Sequence, residues 1–202
     1  EPVFLPADAV DFLEDNEPVL AIEINGDARA YPVQILIWHE IVNDTIGEEP
    51  VAVTYCPLCN SAVAVDRRIG DRVVTFGTSG SLYQSALVMY DRQTESLWSH
   101  FTGQAIAGVL TGIEPDTLPL ATVGWAEWRN AHPEGLVLSR DTGHDRDYGR
   151  NPYPGYDDVD NPPFLFDGEV DGRLVAKERV VGVGIGDEPI AIRHDTLLEQ
   201  GV

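Results

Sequence analysis

The stretch that decides the fold runs from residue 51 to residue 65 and reads VAVTYCPLCNSAVAV. Its first third is apolar and β-branched, and polar and apolar side chains alternate in its last third, so each flank predicts a β-strand. Two strands joined by so short a connection predict a hairpin, with Cys56 and Cys59 in its turn. Asn60 suits the left-handed conformation that such a turn needs after its second cysteine.

The residues on either side of this hairpin predict further short elements. Asn25-Gly26 between two apolar runs is a strong hairpin signal, and Pro32 opens a predicted helix over residues 33–42. A second helix is predicted over residues 123–131, before a proline. The small residues Gly77-Thr78-Ser79-Gly80-Ser81 are typical of a tight turn. Further strands are predicted over residues 61–68, 73–76, 87–90, 97–101, 136–139, 178–183 and 190–193, with a turn over residues 184–188.

The spacing of these elements indicates an α+β fold that is mainly β. It predicts an antiparallel meander sheet that closes toward a barrel or a sandwich, with a few short helices. With 202 residues the chain is long enough to bury a core of its own, and it is predicted to form a single domain over residues 1–202. Residues 141–168 read as a long loop, and loops of that length are usually functional or mobile.

The charge of the chain is strongly negative. It has 34 Asp and Glu residues against 13 Lys and Arg, a formal net charge of −21, and Lys177 is its one lysine. Such a surface repels nucleic acids and anionic membranes, so neither is expected as a partner. The acidic residues are spread along the chain, which is typical of proteins from salt-accumulating halophiles, because molar salt screens their mutual repulsion. No apolar run approaches the roughly 20 residues of a membrane-spanning helix, so no integral membrane segment is expected.

The spacing of Cys56 and Cys59 is shared by three kinds of site: a metal knuckle, a redox-active dithiol and a local disulfide. A hairpin turn favours the knuckle, because dithiols of the thioredoxin type open a helix. A knuckle supplies two ligands, and a closed site needs two more. His39 is the first candidate for the third ligand, and His100 or Met89 for the fourth. Two thiolates with an imidazole suit copper or zinc.

The leading prediction from the sequence is a soft-metal-binding protein of a halophile, with copper or zinc held by Cys56, Cys59 and His39. An open metal position would allow redox or metal-assisted chemistry, with Glu40 as a candidate proton acceptor. The second prediction is a thiol–disulfide oxidoreductase in which Cys56 is the attacking thiolate and Cys59 its partner. The third is a non-catalytic binding module with a local disulfide and a ligand at residues 141–168. The sequence leaves these alternatives open, including whether the protein is an enzyme, and identifies no protein or small-molecule partner.

Two motifs, Trp38-His39-Glu40 and Cys56-Pro57-Leu58-Cys59, are specific. They are accompanied by Ala30-Tyr31-Pro32, Val88-Met89-Tyr90-Asp91-Arg92-Gln93-Thr94, Ser96-Leu97-Trp98-Ser99, Trp125-Ala126-Glu127-Trp128 and Lys177-Glu178-Arg179-Val180. Together these motifs resemble the bacterial and archaeal family catalogued as domain of unknown function 3179, with an acidic composition like that of a haloarchaeal member. In that family's pattern, glycine usually follows the second cysteine and glutamine is common at the position of His100. The resemblance implies no activity, but it implies an extracellular or cell-envelope location, with the cytoplasm as the alternative.

Overall fold

The computed structural model describes residues 1–185 and 188–201. Its helices are α1 (Val33–His39), α2 (Trp125–Ala131) and α3 (His194–Gln200), with a 3-10 turn at Ala7–Ala9. Its strands are β1 (Phe4–Pro6), β2 (Pro18–Ile24), β3 (Asp27–Pro32), β4 (Ile41–Ile46), β5 (Glu49–Cys56), β6 (Ser61–Asp66), β7 (Arg68–Ile69), β8 (Arg72–Val73), β9 (Phe76–Tyr83), β10 (Ala86–Asp91), β11 (Leu97–Ser99), β12 (Ala105–Ala107), β13 (Thr117–Leu118), β14 (Ala121–Gly124), β15 (Leu136–Leu138), β16 (Val180–Ile185) and β17 (Glu188–Arg193). Short helices and many strands confirm the predicted α+β, mainly β class. No helix in the described ranges is both long and apolar enough to cross a membrane.

The chain divides into two compact units, Glu1–Pro152 and a second that begins at Tyr153. The second unit contains an antiparallel hairpin of β16 and β17, followed by α3. Within it, Lys177 donates a hydrogen bond of 2.5 Å to the carbonyl oxygen of Tyr156 and lies over the ring of the same residue. Part of the turn predicted over residues 184–188 lies outside the described residues. The single domain over residues 1–202 stays a prediction.

The first unit contains three larger sheets. The five-stranded sheet has the order β1-β15-β3-β2-β14, the central sheet β13-β6-β5-β4 and the third sheet β12-β11-β10-β9. Neighbouring strands are antiparallel except for β15 and β3, which are parallel. The described strands form no closed barrel, and the arrangement of the sheets is sandwich-like.

Alternation along β5 gives the central sheet two buried faces. Val53 and Tyr55 belong to a first core, which also holds side chains of α1 and of the five-stranded sheet. Ala52 and Cys56 belong to a second core, which holds side chains of the third sheet. Successive side chains of a strand point to opposite faces, so the central sheet lies between these two cores. Cys56 therefore ends β5 on the face toward the third sheet.

Two helix boundaries differ from the sequence prediction. The helix predicted over residues 33–42 ends at His39, because Ile41–Ile46 pairs with β5 as β4. Glu40 changes the direction of the chain between the two, with a φ of 60°. The helix predicted from residue 123 begins at Trp125, because Ala121–Gly124 pairs with β2.

The turn predicted at Gly77–Ser81 was wrong, because these residues lie inside β9 and pair with β10. Gly77 is opposite Tyr90, and a Cβ atom at Gly77 would lie 2.7 Å from a ring carbon of that tyrosine. Glycine in a strand often marks such a close approach of a neighbour. The small residues here fit beneath a cross-strand aromatic ring instead of forming a turn.

Candidate functional site

The two cysteines lie in the turn of the β5–β6 hairpin, as predicted. Cys56 is the last residue of β5 and pairs with Ser61, the first residue of β6. Asn60 adopts a φ of 44°, in the left-handed region that the sequence predicts for it. Its side-chain oxygen accepts a hydrogen bond of 2.9 Å from the Tyr55 hydroxyl. The turn is thus fixed by the strands and by a side-chain contact.

Cys56 is buried, with 1% of its surface exposed, and its sulfur is surrounded by hydrogen-bond donors. The Cys59 thiol and the backbone amides of Leu87, Cys59 and Leu58 lower the pKa of Cys56 to about 7, against the effect of burial. The Leu87 amide comes from β10 in the third sheet, where the register shifts between Leu87 and Met89. The site therefore combines one hairpin turn with an irregular position in a neighbouring sheet.

Cys59 is a free thiol, like Cys56, but it is only partly buried. Its hydrogen bond to Cys56 and its burial raise its pKa, because a second negative charge beside the first is unfavourable. The Ser61 hydroxyl lies 3.3 Å from the Cys59 sulfur and donates to it. The pair therefore holds one negative charge most readily on Cys56.

His100 extends this hydrogen-bonded group away from the sulfur atoms. Its Nε2 lies 3.1 Å from the Ser61 hydroxyl, and its Nδ1 lies 3.0 Å from the Thr54 hydroxyl. The ring is fully buried, and burial lowers the pKa of His100 to about 4, so the imidazole is neutral near neutral pH. Its backbone amide donates to the Leu87 carbonyl at 3.0 Å. A continuous chain of contacts thus runs from Thr54 through His100 and Ser61 to Cys59.

His39 lies in a different polar group. Its Nε2 is 2.6 Å from the Tyr148 hydroxyl, which in turn lies 2.5 Å from the Thr142 hydroxyl. Its ring centre is 5.6 Å from that of His144. Burial lowers the pKa of His39, with smaller contributions from His144 and Arg146. Tyr148 packs against the first core, whereas Cys56 lies in the second core, on the opposite face of the central sheet.

Glu40 connects these two regions through its backbone rather than its side chain. Its carbonyl oxygen accepts a hydrogen bond of 2.7 Å from the amide of Tyr55, the residue before Cys56. Burial raises the pKa of the Glu40 carboxyl. A positive φ at a non-glycine residue is uncommon, and at Glu40 it redirects the chain from the end of α1 into the start of β4.

The structure brings together only part of the set of metal ligands that the sequence predicts. Cys56 and Cys59 are in contact, and Met89 lies in the second core with Cys56. His100 is separated from Cys59 by the Ser61 hydroxyl. Within residues 1–185 and 188–201, no three His, Cys, Asp or Glu side chains form a group able to hold a metal ion. The described arrangement thus contains a pair of thiols, without His39 as a third ligand beside them.

Sequence reasoning missed Ser61, Thr54 and the amide of Leu87. A signal for two of them was present, because Thr54 and Cys56 share one face of β5 and Ser61 is opposite Cys56 in the hairpin. Leu87 gave no local signal, since its contact depends on how the third sheet packs on the central one.

The motifs in the hairpin and around His39 agree with a comparison of the whole chain to protein families. The profile described as "Protein of unknown function (DUF3179)" matches residues 1–202. The chain belongs to this family. No match was found among curated proteins or among solved structures. Membership of the DUF3179 family thus shows which proteins the chain is related to, but it assigns no reaction or ligand to the chain.

Proposed function

We propose that this member of the DUF3179 family is a thiol–disulfide exchange protein whose reactive pair is Cys56 and Cys59. The observation that carries the proposal is that two free thiols lie close together in one β-turn. Thiols that already contact each other need little backbone movement to form a disulfide. Thiol–disulfide exchange proceeds by attack of a thiolate, and the donors around Cys56 favour its thiolate.

The reaction exchanges two electrons between the pair and a substrate. When the pair is oxidised, the two S–H bonds are lost and one S–S bond forms between Cys56 and Cys59. The substrate disulfide gains the two electrons and two protons and becomes two thiols. The opposite direction oxidises two substrate thiols, and the relative reduction potentials decide which direction prevails.

Equilibration with thiol buffers tests this proposal. Protein in molar KCl with a chelator is incubated at a series of ratios of reduced to oxidised dithiothreitol, quenched with acid and weighed by intact mass spectrometry. We expect a reversible transition in which the folded protein loses two hydrogen atoms. The Cys59→Ser variant is the control that has no partner thiol and shows no such transition. Persistence of two free thiols in the wild type over the whole range would contradict the proposal.

A soft-metal site at the same two sulfurs is the second candidate. The observation in its favour is that backbone amides of the turn donate to Cys56, as they do to thiolates in metal knuckles. The neutral imidazole of His100 is in the ligand-competent state and lies next to Ser61, and Met89 offers a thioether in the same core. Copper or zinc remains the metal that this donor set suits.

Metal analysis of protein purified without a nickel column separates the two candidates. A metal centre predicts close to one equivalent of copper or zinc, which Cys56→Ser abolishes. The metal content of His39→Ala and His100→Gln then shows which histidine is a ligand. His39 is the ligand predicted from the sequence, and His100 is the imidazole that contacts Ser61 beside the thiols. Metal far below one equivalent, with both thiols reduced, would count against the metal site.

The proposal extends to the setting of the protein. A cell-envelope or extracellular location in a halophile would provide the oxidising conditions in which disulfides persist. Localisation of the native protein in fractionated cells tests this, and recovery only from the cytoplasm would contradict it. The non-catalytic module with a ligand at residues 141–168 stays a prediction.

A further inference from the structure

The two sulfur atoms differ in how a substrate can reach them. Cys56 is 1% exposed and lies in the second core with Leu87, Met89 and Trp98. Cys59 packs against the same core but is only partly buried, and it precedes the exposed Asn60. In thiol–disulfide exchange, access decides which sulfur is attacked. An incoming substrate therefore meets Cys59 first.

The two sulfur atoms also differ in how well they retain negative charge. The amides of Leu87, Cys59 and Leu58 all donate to Cys56, so a thiolate there has three fixed partners. Cys59 has fewer donors, the hydroxyl of Ser61 and its own backbone amide, besides its contact with Cys56. A thiolate that is better stabilised is a better leaving group. Access and leaving ability thus assign opposite roles to the two residues.

Resting on the proposed function, we infer that Cys59 is the sulfur that bonds to the substrate and that Cys56 is the buried leaving group, so that the disulfide form oxidises thiol substrates. This assignment reverses the order predicted from the sequence, in which Cys56 attacks. It also gives the reaction a direction, because the buried thiolate released in the first step is stabilised by the protein. The substrate class is thiols, two of which are consumed in each turnover.

Both steps balance in atoms and electrons. A substrate thiolate attacks the Cys59 sulfur, a bond forms between them, and the Cys56–Cys59 bond breaks with its electron pair on Cys56. A second substrate thiolate then attacks the first substrate sulfur, and the bond to Cys59 breaks with its electron pair on Cys59. Cys59 takes up a proton, and the Ser61 hydroxyl, held by His100, donates a hydrogen bond to it as it leaves. The substrate thiols become a disulfide, and a further disulfide compound regenerates the oxidised pair by the reverse exchange.

The experiment compares the two single-cysteine variants, Cys56→Ser and Cys59→Ser, in their reaction with a small aromatic disulfide, 5,5′-dithiobis(2-nitrobenzoate). Molar KCl and a chelator keep the protein folded and free of metal. We expect Cys59 in Cys56→Ser to react at least about tenfold faster than Cys56 in Cys59→Ser, because access outweighs thiolate fraction. Both variants must react at equal rates once unfolded in urea, which controls for differences in intrinsic chemistry. An equal or faster reaction of Cys56 in the folded protein would overturn the inference.

A measurement on the wild type keeps the test valid if a variant does not fold. Oxidised wild-type protein is mixed with a limiting small thiol and quenched with acid, and peptide mapping locates the mixed disulfide. Attachment to Cys59 supports the inference, and attachment to Cys56 contradicts it. Either result requires that the wild type forms its internal disulfide, so failure of the proposed function is seen separately, as the absence of that disulfide.

Discussion

His100 is fully buried, and yet both of its ring nitrogens have polar partners, Ser61 and Thr54. A neutral imidazole donates with one nitrogen and accepts with the other, so it satisfies both hydroxyls without a charge. Thr54 also contacts the Val63 carbonyl at 3.0 Å, so its single proton has two acceptors within reach. Burial of a histidine in this state makes its protonation costly to the folded protein.

Acidification is therefore expected to destabilise the protein between pH 6.5 and about 4, the ordinary and the lowered pKa of His100. In this window the unfolded state binds a proton at His100 and the folded state does not, so the free energy of unfolding falls as the pH falls. The loss attributable to His100 approaches roughly 3 kcal/mol at the acidic end. Urea unfolding of the wild type and of His100→Gln at constant molar KCl measures it.

His100→Gln keeps a hydrogen-bonding side chain but does not titrate, so its curve should be flatter in this window. His39 has a lowered pKa in both proteins and contributes equally to each curve. The difference between the two curves therefore isolates His100. Equal pH dependence of the two proteins would show that His100 is not the cause.

The residues of the candidate site were predictable where their signals are local. Cys56, Cys59 and the left-handed Asn60 follow from one short stretch of sequence. The contact between His39 and Tyr148 could not be predicted in this way, because the two residues are 109 positions apart in the chain. The difference in burial between the two cysteines could not be predicted from the sequence either, because it depends on side chains of the third sheet.

Hairpins were the elements that sequence patterns located best. The Asn25-Gly26 turn and the cysteine turn both join the strands expected of them. Apolar periodicity wrongly predicted that the helix continues over residues 40–42. Val42 is buried in the first core, and a buried apolar residue gives the same sequence signal in a helix as in a strand. The order of the sheets was beyond local signals, because β15 lies beside β3 and β13 beside β6 through contacts between distant segments.

The pairing of β9 with β10 makes Gly77 sensitive to substitution. Gly77→Ala would place a methyl group 2.7 Å from the Tyr90 ring, so either the ring or the strand must shift. We expect a loss of about 1–3 kcal/mol in the free energy of unfolding, as for other overpacked sites. Urea unfolding of Gly77→Ala measures it.

The matched comparison is the same substitution in a Tyr90→Leu background, in which the ring is absent. The cost of Gly77→Ala should shrink there, because the two residues interact directly. An unchanged cost in both backgrounds would mean that the Tyr90 ring is not the obstacle.

The whole molecule carries a net charge of −21, and some of its few cations contact two carboxylates each. Arg29, for example, contacts both Asp27 and Asp44, and Arg68 contacts both Asp66 and Glu49. Such pairing removes little of the total repulsion between like charges. The folded state holds these charges closer together than the unfolded state does, so repulsion opposes folding.

Salt is therefore expected to stabilise the protein, because the screening length falls from about 10 Å at 0.1 M to about 3 Å at 1 M. The midpoint of thermal unfolding, followed by circular dichroism, should rise steadily as KCl is added over this range. Sucrose serves as the control, because it is excluded from protein surfaces but does not screen charge. Its effect on the midpoint therefore shows the contribution of exclusion alone. A midpoint that is unchanged or lower in KCl would contradict a role for charge repulsion.

The central sheet has a different polar group on each side, one around His39 and one around the thiol pair. Tyr55 faces the side where His39 and Tyr148 meet, and Cys56 faces the side of the thiol pair. Val53 lies in the first core and Thr54 contacts His100, but the Tyr55 hydroxyl still bonds to Asn60 in the cysteine turn. Substitutions of Val53 and Thr54 therefore test the two sides of β5 separately, whereas a substitution of Tyr55 affects both.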